Sequence, residues 1–347
     1  MWLIGFRDLQ WRRRRFAIAV VSTALLFAVS LLLSGISASF NNEVARTMKE
    51  LDVDTWVVPA GTTGPFTSTN LFPASVAARV AAIAGVARAD PILLFHEVVR
   101  KPKPKDVNMI GFTPGGVGQP HVTQGRLPSQ PGEIVVDRSF GAAVGDVMRL
   151  GSRPFRVVGS VHGVTYLAGT AAAFVSMRDA QQLVLHGAPL STAIAVRGTP
   201  RGPLPPGYER LSNSAVRADL GRPIASARST ISFLNVLLWI IAAGIIAAIL
   251  YMSALERVRE FAVIKAMGSA NGFVIAGLAS QAIVLAVAAA VVALALAKLI
   301  APAVSLSVEI PAAAYVELFV VAISVGLLGS IAGLRKVLSV DPALAFG

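Results

Sequence analysis

Four stretches, residues 16–36, 231–255, 273–297 and 312–334, are apolar over 21, 25, 25 and 23 residues. Each is long enough to cross about 30 Å of hydrocarbon as a helix rising about 1.5 Å per residue. The second has no charged residue between Ile231 and Leu255. Four such runs in 347 residues exceed what buried core helices of a soluble protein require, so they are read as membrane spans. A hydrophobic fraction of 54% against 14% charged residues agrees.

The formal charge of +12 raises the question of nucleic acid, and the placement of the charges answers it. Arg7, Arg12, Arg13, Arg14 and Arg15 precede the first span, Arg257, Arg259 and Lys265 lie between the second and third, and Arg335 and Lys336 follow the fourth. Between the third and fourth spans there is only Lys298. Positive charge in short segments stays inside, which predicts a cytoplasmic N-terminus, middle loop and C-terminus in a cell membrane. Arg12, Arg13, Arg14 and Arg15 then anchor the inner surface beside anionic lipid, and no nucleic-acid role is needed. A competing reading makes the first apolar run a signal peptide cut near Ala38, but the run is longer than such a core of about 7–15 residues. No cysteine is present, which removes disulfides, thiolate metal sites and cysteine nucleophiles.

This topology places residues 37–230 outside. The segment from Pro73 sets Val76, Val80 and Ile83 on one helical face, with Gly85 and Pro91 ending it. Strand-like stretches at 93–99, 107–112, 133–136, 155–161 and 192–196, with a helix at 177–185, complete an α+β pattern. The expected organisation is a basic cytoplasmic helix at 1–15, a span at 16–36, an extracytoplasmic α+β domain at 37–230 and a span at 231–255. A cytoplasmic loop at 256–272, a span at 273–297, an outer loop at 298–311, a span at 312–334 and a cytoplasmic tail at 335–347 follow. The fold class is four transmembrane α-helices with an α+β domain inserted between the first and second.

Catalytic signatures are missing. There is no P-loop, no HExxH and no GxSxG, and His96, His121, His162 and His186 are isolated. Gly115, Gly116 and Gly118 imitate a phosphate loop but read as a turn, since no capped helix follows. Glu317 falls within the fourth span, about 8 Å by helical rise from its outer end, where it can reach the headgroups. Asn235 and Gln281 are read as bonding between helices, and Gly244 with Ala248 as a small pair that lets helices approach closely.

The loop ERVREFAVIKAMGSA, residues 256–270, holds Val258, Phe261 and Ile264 at helical spacing among charges, and Gly268 ends it. Such a helix either is a solvated connector or docks into a groove on a cytoplasmic partner. The loop resembles the ERxREIGxxKAxGA segment of the FtsX/MacB-type permeases of ABC transporters. The tail SVDPALAFG, residues 339–347, resembles that family's terminal xxDPxxAL. The stretches at 81–91 and 132–161 and the basic DLQWRRRR at 8–15 are also similar to the family, as is the order of one span, a large outer domain and three spans.

The resemblance implies a homodimer of this chain with two copies of a separate P-loop ABC ATPase, which would bind the ATP and Mg. It leaves no catalytic residue, cofactor or metal in this chain and allows an extracytoplasmic protein partner. Glu256, Arg257, Arg259, Glu260, Phe261, Lys265, Met267 and Gly268 would form the ATPase-docking helix. Phe261 and Ala262 replace the commoner Ile-Gly of the family. The expected function is to couple ATP hydrolysis inside to work outside, in efflux, cargo extraction or signalling. Two alternatives stay open. A solute importer would normally carry more spans and an EAAxxxG loop, and a membrane-anchored sensor without an ATPase would have no use for the charged inner loop.

Overall fold

The computed structural model describes residues 13–99, 104–167, 169–256, 258, 260, 263, 271–304 and 308–338. It divides into two compact units, Phe40–Ser226 and the remainder on either side of it.

The remainder is a helical bundle. Helix α1 (Arg13–Leu51) begins in it, and α5 (Ala225–Glu256), α6 (Asn271–Ile300) and α7 (Ala312–Leu338) complete it. All four are long and apolar enough to cross a membrane. Their shared core is built from small residues: α6 buries Ala282, Ala286, Ala289, Ala290, Ala293 and Ala297 against Ala24 and Phe27 of α1, Ile246 of α5 and Ala322 of α7. Lipid tails are as apolar as leucine, so helices gain little by hiding large side chains from them and more by close backbone approach.

Helix α1 runs fifteen residues beyond the apolar window that ends at 36. Its last turns belong to the sheet-rich unit, where Val44, Met48 and Leu51, at i, i+4 and i+7, enter the core beside Trp56.

In that unit β1 (Thr55–Pro59), β3 (Val86–Val99), β4 (Lys105–Phe112), β6 (Glu133–Asp137), β7 (Val147–Leu150), β8 (Arg153–Val161), β10 (Thr170–Ser176), β12 (Ala193–Gly198) and β13 (Tyr208–Ser212) carry the sheet. The short β2 (Phe72–Pro73), β5 (Gln124–Gly125), β9 (Thr165–Tyr166) and β11 (Leu190–Ser191) are accessories. The strand order is β13-β1-β12-β3-β4-β10-β6-β8-β5. Fourteen residues long, β3 pairs with β12 through its first half and with β4 through its second, so one strand joins two halves of the unit. Because β7 pairs with both β8 and β3, the strands β3, β4, β10, β6, β8 and β7 close into a ring. Closure removes the free edges that would otherwise invite pairing.

Helix α3 (Met177–Val184) packs Met177 and Ala180 among Leu93, Met109, Ile134 and Val175. On the other face of the same strands, Ile110, Val135 and Phe174 meet the end of α1. Helix α2 (Val76–Ala81) covers Val57, Ile194 and Val196 with Val76 and Val80. Helix α4 (Asn213–Gly221) adds Val216 and Leu220 to the core, and its Asn213 accepts from the Trp56 indole at 3.1 Å. The stretches expected as strands at 93–99, 107–112, 133–136 and 155–161 lie within β3, β4, β6 and β8, that at 192–196 overlaps β12 from Ala193, and the two expected helices correspond to α2 and to α3, which ends one residue earlier than expected.

Candidate functional site

The charged loop expected at 256–272 is the candidate site, and α5 leads into it. Arg15 of α1 forms an ion pair with Glu256 of α5. Two groups of candidate residues that lie 241 positions apart, the anchoring arginines and the docking segment, thereby meet. With side chains 58% and 35% exposed, this pair adds little stability, and its interest lies in which helices it ties. Arg13 and Arg14 lie in α1, with Arg14 exposed, and Glu260 is helical and exposed. Arg12, Arg257, Arg259, Phe261, Lys265, Met267 and Gly268 lie outside the described residues.

Gly244 and Ala248 are exposed on α5, and a Cβ placed on Gly244 would meet nothing within 4 Å. Close approach within this chain falls elsewhere. A Cβ on Gly326 would lie 3.0 Å from the Ala282 carbonyl oxygen, and one on Gly329 would lie 3.0 Å from that of Ala243. Both contacts are with backbone, which yields less readily than a side chain, so a Cβ at either position would press α7 away from α6 or α5 by a few tenths of an ångström. Sequence reasoning missed them, although Gly326 and Gly329 stand three apart inside the fourth apolar window.

Polar residues inside the apolar windows also find one another. The Trp239 indole donates to Ser30 Oγ at 3.0 Å, and Asn235 Nδ2 donates to Ser34 Oγ at 3.2 Å. The Asn235 bond joins α5 to α1, as its position inside a span led us to expect. Ser39 Oγ donates to the Gly35 carbonyl at 3.0 Å and accepts from the Glu309 amide at 2.9 Å, tying the loop before α7 to α1.

In the sheet-rich unit the glycine-rich segment is a turn. Gly115 and Gly118 have φ of 73° and 83°, and the Val117 amide donates to the Asp90 carboxylate at 2.8 Å. A side-chain carboxylate thus occupies an amide that a phosphate loop would offer to a ligand. His96 bonds Asn108 at 3.2 Å and Asp106 at 3.3 Å. Among the described residues no group of three or more His, Asp and Glu could hold a metal ion.

Arg126 and Glu133 form a fork in the same unit. Glu133 accepts from Arg126 Nη1 at 2.7 Å and from the Ser129 and Gln130 amides at 2.8 and 3.1 Å. The guanidinium bond is the main cause that lowers the Glu133 pKa to about 2, with the two amides adding to it.

Comparison with known proteins assigns both units. Residues 232–342 match the model of the FtsX-like permease C-terminal region, and residues 16–211 match that of the MacB-like periplasmic core domain. Two uncharacterized ABC transporter permeases of Mycobacterium tuberculosis and one of Mycobacterium bovis are each 41% identical over the whole of this chain and 99% of their own length. Among solved structures, the periplasmic region of MacB from Actinobacillus actinomycetemcomitans aligns with 49% of this chain and 93% of its own, at 13% identity and a TM-score of 0.37. The extracellular domain of the noncanonic ABC-type transporter YknZ from Gram-positive bacteria aligns with 46% and 99%, at 12% identity and a TM-score of 0.35. With four membrane helices, a sheet-rich extracytoplasmic domain between the first and second, and relatives matched from end to end, the chain belongs to the FtsX/MacB-type permeases of ABC transporters.

Proposed function

We infer that this permease works with a separate cytoplasmic ABC ATPase, two copies of each, and converts ATP hydrolysis inside into movement of the extracytoplasmic domain, in efflux, cargo extraction or signalling. The ATPase binds the ATP and Mg, and residues 256–268 dock into it. Both termini are cytoplasmic. The observation that carries this reading is α1: one helix whose first turn pairs with Glu256, where the docking segment begins, and whose last turns are core residues of the extracytoplasmic domain. A helix hydrogen-bonded along its whole length is stiff along its axis, so a load applied near Glu256 has a direct route outward.

A homodimer is supported by the outer face of α5. Phe233, Leu237, Ile240, Gly244, Ala248 and Met252 recur there at spacings of three and four and are exposed in the single chain. The glycine and alanine at its middle suit close approach of a second copy of the helix.

The test is purification of the full chain from membranes and identification of the P-loop ATPase that accompanies it. Arg259→Glu or Glu260→Arg should abolish stimulation of that ATPase while membrane insertion is unchanged; full stimulation would remove the docking role. Because the chain has no cysteine, a single Ser152→Cys should react with an impermeant maleimide in intact cells. Protection of that cysteine would reverse the orientation.

A further inference from the structure

At one end of the bundle, α1, α5 and α7 surround a small cleft lined by Ser30, Ser34, Trp239, Glu317, Leu318 and Val321. Its volume of about 10 Å³ is room for about one water molecule. Glu317 is the unusual member. It lies five residues into α7 and is exposed, and among the described residues it has neither a hydrogen-bond nor an ion-pair partner. The neighbouring positions on its face, Val316 and Val320, are 67% and 58% exposed, so Glu317 stands on an exposed apolar face of a helix apolar enough to span a membrane. A carboxylate left there without a counter-charge is costly, and ionisable groups in spans are by default functional.

The other polar atoms of the cleft point to what it takes. Ser30 Oγ already accepts from Trp239, and Ser34 Oγ accepts from Asn235. Among the described residues no cationic side chain lines the cleft. What it offers is a carboxylate, hydroxyl oxygens and an indole ring held by its own N–H bond. A group with several donors, a positive charge and the size of one water matches this set: a primary ammonium, which has three donors and no acceptor and is attracted to both the carboxylate and the indole face. A trimethylammonium has no donor and does not fit the volume.

We propose that this cleft is a lipid-headgroup site selective for a primary ammonium, the headgroup of an aminophospholipid entering sideways from the bilayer with Glu317 as its counter-ion. The membrane location comes from the family assignment and the apolar spans, so the site does not depend on the docking role of residues 256–268.

The test uses the full chain in nanodiscs holding equal amounts of phosphatidylethanolamine and phosphatidylcholine, with retained lipid measured by native mass spectrometry. Wild type should retain the ethanolamine lipid about tenfold over the choline lipid, equivalent to about 1.4 kcal/mol. Glu317→Gln, which keeps the size and removes the charge, should bring the ratio to about one. Glu317→Asp should keep part of the preference, and Trp239→Leu should weaken it. Equal retention by wild type, or a preference unmoved by Glu317→Gln, overturns the site. Displacement of the lipid by millimolar free ethanolamine would make the occupant a soluble amine and overturn the headgroup assignment. Loss of the dimer in Glu317→Gln with the lipid ratio unchanged would mean that a second copy supplies the cation, which also overturns it.

Discussion

The two units of this chain solve the packing problem with different residues. The sheet-rich unit fills its core with Trp56, Phe112, Phe174, Ile110 and Ile92, whereas the bundle buries six alanines of α6 and brings Gly326 and Gly329 against backbone. Water explains the first choice, because each large apolar side chain removed from it contributes about 1.5–3 kcal/mol. Lipid explains the second, since there the gain comes from close contact and from pairing the few polar groups. A residue's worth in this protein therefore depends on which solvent its unit displaces.

Substitutions sharpen that contrast. Phe174→Ala, at a fully buried position in contact with Phe112, should destabilise the sheet-rich unit by about 3–5 kcal/mol, read from its denaturant midpoint in the full chain. A loss below about 1 kcal/mol would mean that the large-residue core is not what holds this unit.

Glu133→Gln should cost about 1–3 kcal/mol at neutral pH, because its side chain is only 9% exposed and Arg126 would lose its anionic partner. The folded pKa of about 2 lies below the ordinary 4.5, so Glu133 stabilises the fold fully above pH 4.5, and its contribution declines as pH falls toward about 2. The variant should therefore lose part of the acid sensitivity of wild type across that window. Identical slopes of stability against pH for the two proteins would break the assignment.

The smallest effect is expected in the bundle. Trp239→Phe removes the bond to Ser30 and keeps a ring, and should cost about 0.6 kcal/mol by unfolding in mixed micelles. A cost comparable with that of Phe174→Ala would erase the distinction between the two solvents.

How much of this was legible depended on the same physics. The four spans were plain from run length. The strands β3 and β4 could be read from their β-branched and aromatic content, and α2 from Val76 and Val80 on one face. By contrast, β10 has the sequence TAAAFVS and is buried on both faces, with Ala173 and Val175 in one core and Phe174 in the other. It shows no alternation and little β-propensity, so neither signal marks it. The extension of α1 to Leu51 was hidden because its amphipathic end follows an apolar run without a break.

At the site, the charged loop stood out in the sequence, but the pairing of Arg15 with Glu256 spans 241 positions and no local pattern carries it. The contacts of Gly326 and Gly329 likewise depend on which helix lies opposite, which a single chain does not encode in its spacing.

The last turns of α1 are held by three side chains inside the sheet-rich unit. Val44, Met48 and Leu51 are locked into the core around Trp56, so turning the helix about its own axis would swing them out of it. Sliding it by one turn, about 5.4 Å, would unseat all three at once. The end of α1 is thus a built-in part of the sheet-rich unit rather than a tether to it, and neither a twist nor a slide of that end is open to it while the core around Trp56 stays packed.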